Sequence, residues 1–312
     1  MGLDIVVAFF LLGAVAQCLR APLSLPDGLY QTLTILLLLA IGLKGGIALS
    51  EHLTPTLLLQ SAAVLALGIV LPLLAFPLLS FVGQLPRINA ATIAAHYGSV
   101  SVATYAVGVA FLESRQIPYE PYFPLFVAVL EAPAIAVGLW LARQRKKGQG
   151  HGQLVREVLL NQGMVLLLGG LLIGWLMSDQ TGRIMPLFGD LFHGVLALFL
   201  LAMGQKAAQR WGELGKDASF LASFGVAMPL IGAALGAALA LLLGLSAGGA
   251  TLLAVLGGSA SYIAVPAAFS VALPKADLGP AITASLGITF PFNVLVGIPL
   301  YSALIMTFFP IA

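Results

Sequence analysis

Ala95-His96-Tyr97-Gly98-Ser99-Val100-Ser101-Val102-Ala103-Thr104 interrupts one long apolar stretch of this chain, and Leu256-Gly257-Gly258-Ser259-Ala260-Ser261-Tyr262 interrupts another. Gly98, Ser99 and Ser101 return 160 positions on as Gly258, Ser259 and Ser261. Working outward, Gly42, Lys44 and Glu51 return 162 positions on as Gly204, Lys206 and Glu213, and Pro133 returns 158 positions on as Pro291. The order is kept and the offset drifts slowly, as in two diverged copies. With 35 Gly in the chain, one match means little; the ordered series carries the reading.

The copies are membrane copies. At 60% hydrophobic and 8% charged residues, with a mean hydropathy of +1.05, a soluble globular fold is excluded. The net charge of +2 does not point to nucleic acid, because the charges fall between the apolar runs. Cys18 is the single cysteine, so no internal disulfide forms, and it reads as a small buried apolar residue. Met1-Gly2-Leu3-Asp4 lacks a basic leader, so the first apolar run reads as a retained span.

A bilayer core needs about 20 apolar residues per helix. Ten runs meet this near residues 5–19, 29–49, 57–80, 90–112, 122–142, 159–177, 188–206, 219–243, 250–273 and 280–308. If they alternate in direction, one side holds Arg20, Arg87, Arg143, Arg145, Lys146, Lys147, Arg156, Lys206, Arg210, Lys216 and Lys275, and the other holds Lys44, Arg115 and Arg183. The positive-inside rule places the larger group in the cytoplasm and both termini outside. Five spans per copy turn the second copy upside down. The expectation is an all-α membrane protein of ten transmembrane helices, a five-plus-five inverted repeat. Residues 1–142 form the first repeat, 143–158 a short basic cytoplasmic linker, and 159–312 the second repeat.

Each Gly-Ser pair lies about eight residues into its span, near the bilayer middle at about 1.5 Å per residue. Gly and Ser let a helix break and restart, so spans four and nine read as broken helices. A serine at the restart can cap the second half-helix, whose free N–H groups and positive dipole end suit an anion. Inversion brings two such ends together. Hydroxyls and unwound carbonyls can also ligate a hard cation such as Na⁺. Small polar residues also serve as helix-packing faces; recurrence at matched depth favours a site. Candidate substrate ligands are therefore Gly98, Ser99, Ser101, Thr104, Gly258, Ser259 and Ser261. Candidate Na⁺ ligands are Ser99, Ser101, Glu131, Ser261 and Asn293.

Glu131 lies mid-run, where a carboxylate is costly; it reads as a Na⁺ ligand, a proton carrier or a structural hydrogen-bonding group. Pro133 and Pro291 free backbone carbonyls nearby. His96 is either a hydrogen-bonded core residue or a proton site. Lys44 and Lys206, near span ends, read as snorkelling side chains. Gly170/Gly174 and Gly232/Gly236 read as packing pairs. HExxH, CxxC and Walker patterns are absent from the sequence, and no Ser–His–Asp set accompanies the motifs, so an enzyme is not expected.

His96-Tyr97-Gly98-Ser99-Val100-Ser101, Phe111-Leu112-Glu113, Tyr119-Glu120, Glu131-Ala132-Pro133, Ser259-Ala260-Ser261-Tyr262-Ile263-Ala264-Val265-Pro266 and Phe290-Pro291-Phe292-Asn293-Val294-Leu295-Val296-Gly297-Ile298-Pro299 resemble the sodium-dependent bicarbonate transporter family. Ile41-Gly42-Leu43-Lys44-Gly45-Gly46 is similar as well. The resemblance covers nearly the whole chain. It implies a ten-span inverted repeat in the lipid bilayer, Na⁺-coupled uptake of bicarbonate with both ions at the broken helices, and a homotrimer in a bacterial inner membrane. Cyanobacterial members carry a long cytoplasmic insert associated with a regulatory signalling protein; the central stretch here is short, so that partner is not carried over. Tyr262 stands where the cyanobacterial branch has Asp, and Ser270 where it has a basic residue, both expected near the site. The reading is Na⁺-coupled symport of a small anion, most simply bicarbonate. An H⁺- or Na⁺-coupled transporter of a small organic anion and a passive anion channel stay open.

Overall fold

The computed structural model describes residues 4–21, 23, 25–142, 160–213, 218–273 and 276–308. The expected basic linker, with Arg143, Arg145, Lys146, Lys147 and Arg156, lies outside the described residues, as do Lys216 and Lys275.

Among the described residues the elements are helical and there is no strand. Asp4 caps α1 (Ile5–Cys18) by accepting from the Val6 N–H at 3.0 Å. Helix α2 (Asp27–His52) follows Pro26. Thr54 caps α3 (Pro55–Pro77), with Pro55 in the first turn where its missing N–H costs nothing. A wide π turn, Leu78–Val82, extends α3. The fourth apolar run is two helices, α4 (Arg87–Gly98) and α5 (Val102–Ser114). Helices α6 (Phe123–Ala142), α7 (Gln162–Leu176), α8 (Phe192–Arg210) and α9 (Ala218–Leu242) come next. The ninth run is also two helices, α10 (Ala247–Gly257) and α11 (Ala264–Ala272). The last, α12 (Gly279–Phe308), contains two π stretches, Thr283–Thr289 and Asn293–Gly297.

Among the described residues six stretches are long and apolar enough to cross a membrane: Gly28–His52, Pro55–Val82, Arg87–Ser114, Phe123–Ala142, Ala218–Leu242 and Gly279–Phe308. Helices α1, α7 and α10 are shorter apolar helices. Helix α8 starts later and ends later than the apolar run 188–206 suggests. Pro186 opens a π turn before it, and Gln205 and Lys206 stay helical because they find partners, the Leu23 carbonyl and the Tyr30 ring.

Packing crosses between the two ends of the sequence. Helix α1 lies along α8, and α2 along α7. Close approach needs glycine at both crossings. A Cβ on Gly13 would fall on the Leu201 carbonyl, and one on Gly204 on the Phe10 carbonyl. Gly42 and Gly46 face Gly170 and Gly174, where an added Cβ would lie 3.0 and 2.9 Å from the Cα of the opposite glycine. Helices α3, α4 and α6 pack together, α9 packs on α10, and α12 covers both α9 and α10. Gly232 and Gly236 admit the carbonyls of Gly257 and Leu253, so both expected small-residue pairs are packing faces.

The polarity of the bundle is that of a membrane protein. Leu58, Leu59, Phe81, Leu172, Leu176, Leu242 and Phe308 are exposed, whereas Thr92, His96, Ser99, Ser101, Glu131, Ser259, Ser261, Ser285 and Asn293 are buried. Cys18 departs from expectation. It is exposed, as the last residue of α1.

Candidate functional site

The two breaks meet. Helix α4 ends at Gly98, where close packing requires glycine: any Cβ there would strike Pro72 of α3 and lie 2.9 Å from the Ala134 Cβ of α6. The chain then extends through Ser99 (φ −90°, ψ 168°) and restarts at Val102. Ser101 caps the restart as expected, its Oγ accepting from the Thr104 N–H at 3.1 Å. The second break is built differently. Helix α10 ends at Gly257, the chain is unwound through Ile263, and α11 restarts with no side-chain cap. Ser261 does not cap because its backbone is engaged across the crossing. Its N–H donates to the His96 carbonyl at 2.9 Å, and its carbonyl accepts from His96 Nδ1 at 2.5 Å. Ser259 completes the bridge: the Ser101 N–H donates to Ser259 Oγ at 3.1 Å, and that hydroxyl donates to the Leu256 carbonyl at 2.9 Å.

Two further residues hold this crossing. Asn293 of α12 donates from Nδ2 to the Gly258 carbonyl at 2.8 Å, and its Oδ1 accepts from the Tyr301 hydroxyl at 2.8 Å. Tyr97 donates to Thr289 Oγ1 at 2.8 Å, which donates to the Gly225 carbonyl at 2.7 Å. Helices α4, α9 and α12 are thereby tied together behind the breaks.

Some polar atoms are left over. Interior polar groups are normally satisfied, because an unpaired one costs about 1–3 kcal/mol. Here Ser99 Oγ and His96 Nε2 are buried with no hydrogen-bond partner among the described residues. A carbonyl can only accept, so the Ser261 contact fixes the proton on His96 Nδ1 and leaves Nε2 a bare acceptor. Unpaired hydroxyl and imidazole lone pairs at a crossing of unwound backbone are what an ion or a proton would engage.

Beside the crossing lies a cavity of about 40 Å³, room for roughly three water-sized groups. Ser101, Ser261 and Tyr262 line it from the two breaks, Glu131 from α6, Thr34 from α2 and Phe199 from α8. Glu131 is 5% exposed and is the one carboxylate among the lining residues. Pro133 leaves the Val129 carbonyl without its helical donor one turn away. The sequence candidates thus divide. Ser101, Ser261 and Glu131 line the cavity, whereas Gly98, Ser99, Thr104, Gly258, Ser259 and Asn293 are not among its lining residues.

The profile of the Na⁺-dependent bicarbonate transporter superfamily matches residues 5–306 of the chain. The chain belongs to that superfamily. None of the curated proteins matches it. As a superfamily member with six stretches among the described residues long and apolar enough to cross a membrane, it is a multi-pass membrane protein of a transporter family and not an enzyme, and sodium dependence belongs to it at the level of the family.

Against this background, the two family departures separate. Tyr262 lines the cavity, but Ser270 sits on the exposed face of α11, donating to the Ala267 carbonyl at 2.8 Å. Only the first bears on the site. Thr34, Phe199 and Tyr262 were not singled out as ligands by sequence reasoning. Thr34 and Phe199 carry no motif, and their role comes only from α2 and α8 flanking the breaks. Glu120 is a further residue whose part emerges in three dimensions. Its Oε1 accepts from the Ser246 N–H at 2.7 Å and its Oε2 from the Ser246 hydroxyl at 3.1 Å, anchoring the start of α10. Ser246 in turn caps α10 at Gly249.

Proposed function

We propose that this chain is a secondary active transporter that couples Na⁺ entry to uptake of a small anion, bicarbonate. The observation that carries the reading is the small cavity where both broken helices and a buried carboxylate converge. Its size, about 40 Å³, suits small ions far better than a bulky organic acid. Glu131 supplies the negative charge a Na⁺ site needs, with hydroxyls and unwound carbonyls as the remaining hard oxygen donors. The free N–H groups at the start of α5 and α11 suit the anion.

The reciprocal packing of α1 on α8 and α2 on α7 supports a ten-span inverted repeat with the copies at residues 1–142 and 159–312. The basic side chains support termini outside and the linker inside a bacterial inner membrane. In this reading the crossing moves against the α1, α2, α7 and α8 group, so that the cavity faces each side in turn. A homotrimer follows from the family resemblance.

The test is uptake of labelled bicarbonate into proteoliposomes with an inward Na⁺ gradient, against the same vesicles with K⁺. The reading expects accumulation above the passive CO₂ background only with Na⁺. Equal uptake with K⁺ would sink the coupling. A second reading, H⁺ coupling, draws on the bare His96 Nε2 and the buried Glu131. It expects accumulation driven by an inward proton gradient with Na⁺ absent.

A further inference from the structure

A second pocket, of about 270 Å³, shares no lining residue with the central cavity. At roughly 10–15 Å³ for each water-sized group it holds about twenty of them, the room a small organic molecule needs. Ile41 and Ile47 of α2, Val109 of α5 and Phe192 of α8 make much of its wall apolar. Three polar side chains join them: Lys44 from α2, Tyr105 from α5 and Tyr119 from the chain entering α6.

Two of the three have donors to spare. Lys44 lies eight residues before the end of α2, about 12 Å inside the helix at about 1.5 Å per residue. A cation at such a depth is costly and marks a functional site by default. The side chain is half-buried, and its Nζ lies 4.6 Å from the Phe192 ring centre. A ring holds an ammonium in place and leaves its N–H donors unspent. Among the described residues no carboxylate lies within ion-pair distance of Lys44. Tyr105 is 2% exposed, and its hydroxyl has no hydrogen-bond partner among the described residues. Buried hydroxyls are normally paired. Tyr119, by contrast, already donates to Glu113 at 3.0 Å, and Glu113 is held in turn by His193 at 3.3 Å. Glu113 itself is not a lining residue.

An ammonium and a phenol facing one apolar void are the donor set for a carboxylate carried on an apolar body. The ammonium pairs with the charge, the phenol donates to a carboxylate oxygen, and the aliphatic side chains and the Phe192 ring cover the rest. A bare inorganic anion would leave those walls uncovered.

We propose that this pocket is a second binding site, for a small monocarboxylate with an apolar body, separate from the central cavity. Its walls come from α2 and α8 on one side and α5 on the other. On the transport reading above these groups move against each other, so an occupant that bridges them holds them still and inhibits. Only the inhibition rests on that reading; the binding does not.

Benzoate is the probe, read by saturation-transfer difference NMR on the protein in nanodiscs, with empty nanodiscs subtracted. Saturable binding is expected. Lys44→Met is expected to weaken it at least about tenfold, and Tyr105→Phe about threefold to tenfold. Tyr105→Phe removes only a hydroxyl with no partner to lose, so its effect reads binding and not folding. Arg183→Met, which removes an exposed cation outside the pocket, should change nothing. Benzyl alcohol, with the ring and no charge, should bind at least about tenfold more weakly. Bicarbonate at equal ionic strength should not displace benzoate.

In vesicles, benzoate is expected to lower kcat for Na⁺-driven uptake with KM little changed, and Lys44→Met should resist it. The absence of saturable binding, or equal binding by the wild type and both pocket variants, overturns the proposal. Displacement by bicarbonate overturns it as well, by placing benzoate in the transport site. So does a phospholipid held through Lys44 with no binding of benzoate, which gives the pocket to lipid. If benzoate binds through Lys44 but the wild type moves no anion, the pocket stands and the transport reading falls. If Na⁺-driven transport is intact and benzoate binding absent, the reverse holds.

Discussion

Glu131 and Ser99 pose the sharpest questions at the scale of single residues. Glu131 is a carboxylate in an apolar wall, and nothing among the described residues forms an ion pair with it. Such a group is tolerated inside a membrane when it binds a cation or moves a proton. Glu131→Gln keeps the shape and removes the charge, so half-saturating Na⁺ in an uptake titration should rise at least about tenfold, about 1.4 kcal/mol. An unchanged Na⁺ response would make Glu131 part of the frame. Ser99 is diagnostic for a different reason. Its hydroxyl has no partner to lose, so Ser99→Ala should leave the thermal unfolding midpoint within about a degree while lowering transport. A drop in the midpoint with full transport would assign it to packing. Ser101→Ala would be harder to interpret, because the hydroxyl also caps α5, worth about 1 kcal/mol.

At the scale of elements, the broken helices were legible because they rest on local chemistry. Gly98-Ser99 and Gly258-Ser259 occur where an apolar run should be uninterrupted, and both runs are indeed split there. The cap on α5 was legible for the same reason. Its absence on α11 was not, since Ser261 is diverted to His96, a residue 165 positions away in sequence. Thr34, Phe199 and the Glu120 anchor share that property: each acts through a partner that only the packing brings near. The packing itself makes a controlled prediction. A Cβ on Gly170 would lie 3.1 Å from the Gly42 Cα at the α2–α7 crossing, whereas one on Gly169 would meet nothing within 4 Å. Gly170→Leu should therefore lose monodisperse protein in size-exclusion chromatography, and Gly169→Leu should not. Equal behaviour of the two would refute the close crossing. Glu120→Ala should lower the unfolding midpoint by removing two charge-assisted hydrogen bonds, about 1–3 kcal/mol together. Glu120→Gln should recover part of that loss, and an Ala variant as stable as wild type would show that α10 is anchored otherwise.

On the scale of the whole molecule, polarity is sorted from the centre outward. Exposed leucines and phenylalanines cover the outside, and the hydroxyls, the imidazole and the carboxylate collect at one crossing. The cavity lies between that crossing and the α2 and α8 pair, so relative motion of the two groups would open it to one side or the other. If Na⁺ and the anion bind in this one cavity as proposed, each must change the affinity of the other by the same factor.

The most direct measurement is equilibrium binding of radioactive Na⁺ to the purified protein, with and without bicarbonate, for the wild type and Glu131→Gln. The account predicts saturable Na⁺ binding that bicarbonate tightens and that the variant weakens at least about tenfold. Na⁺ binding that is indifferent to bicarbonate and equal in the two proteins would contradict it.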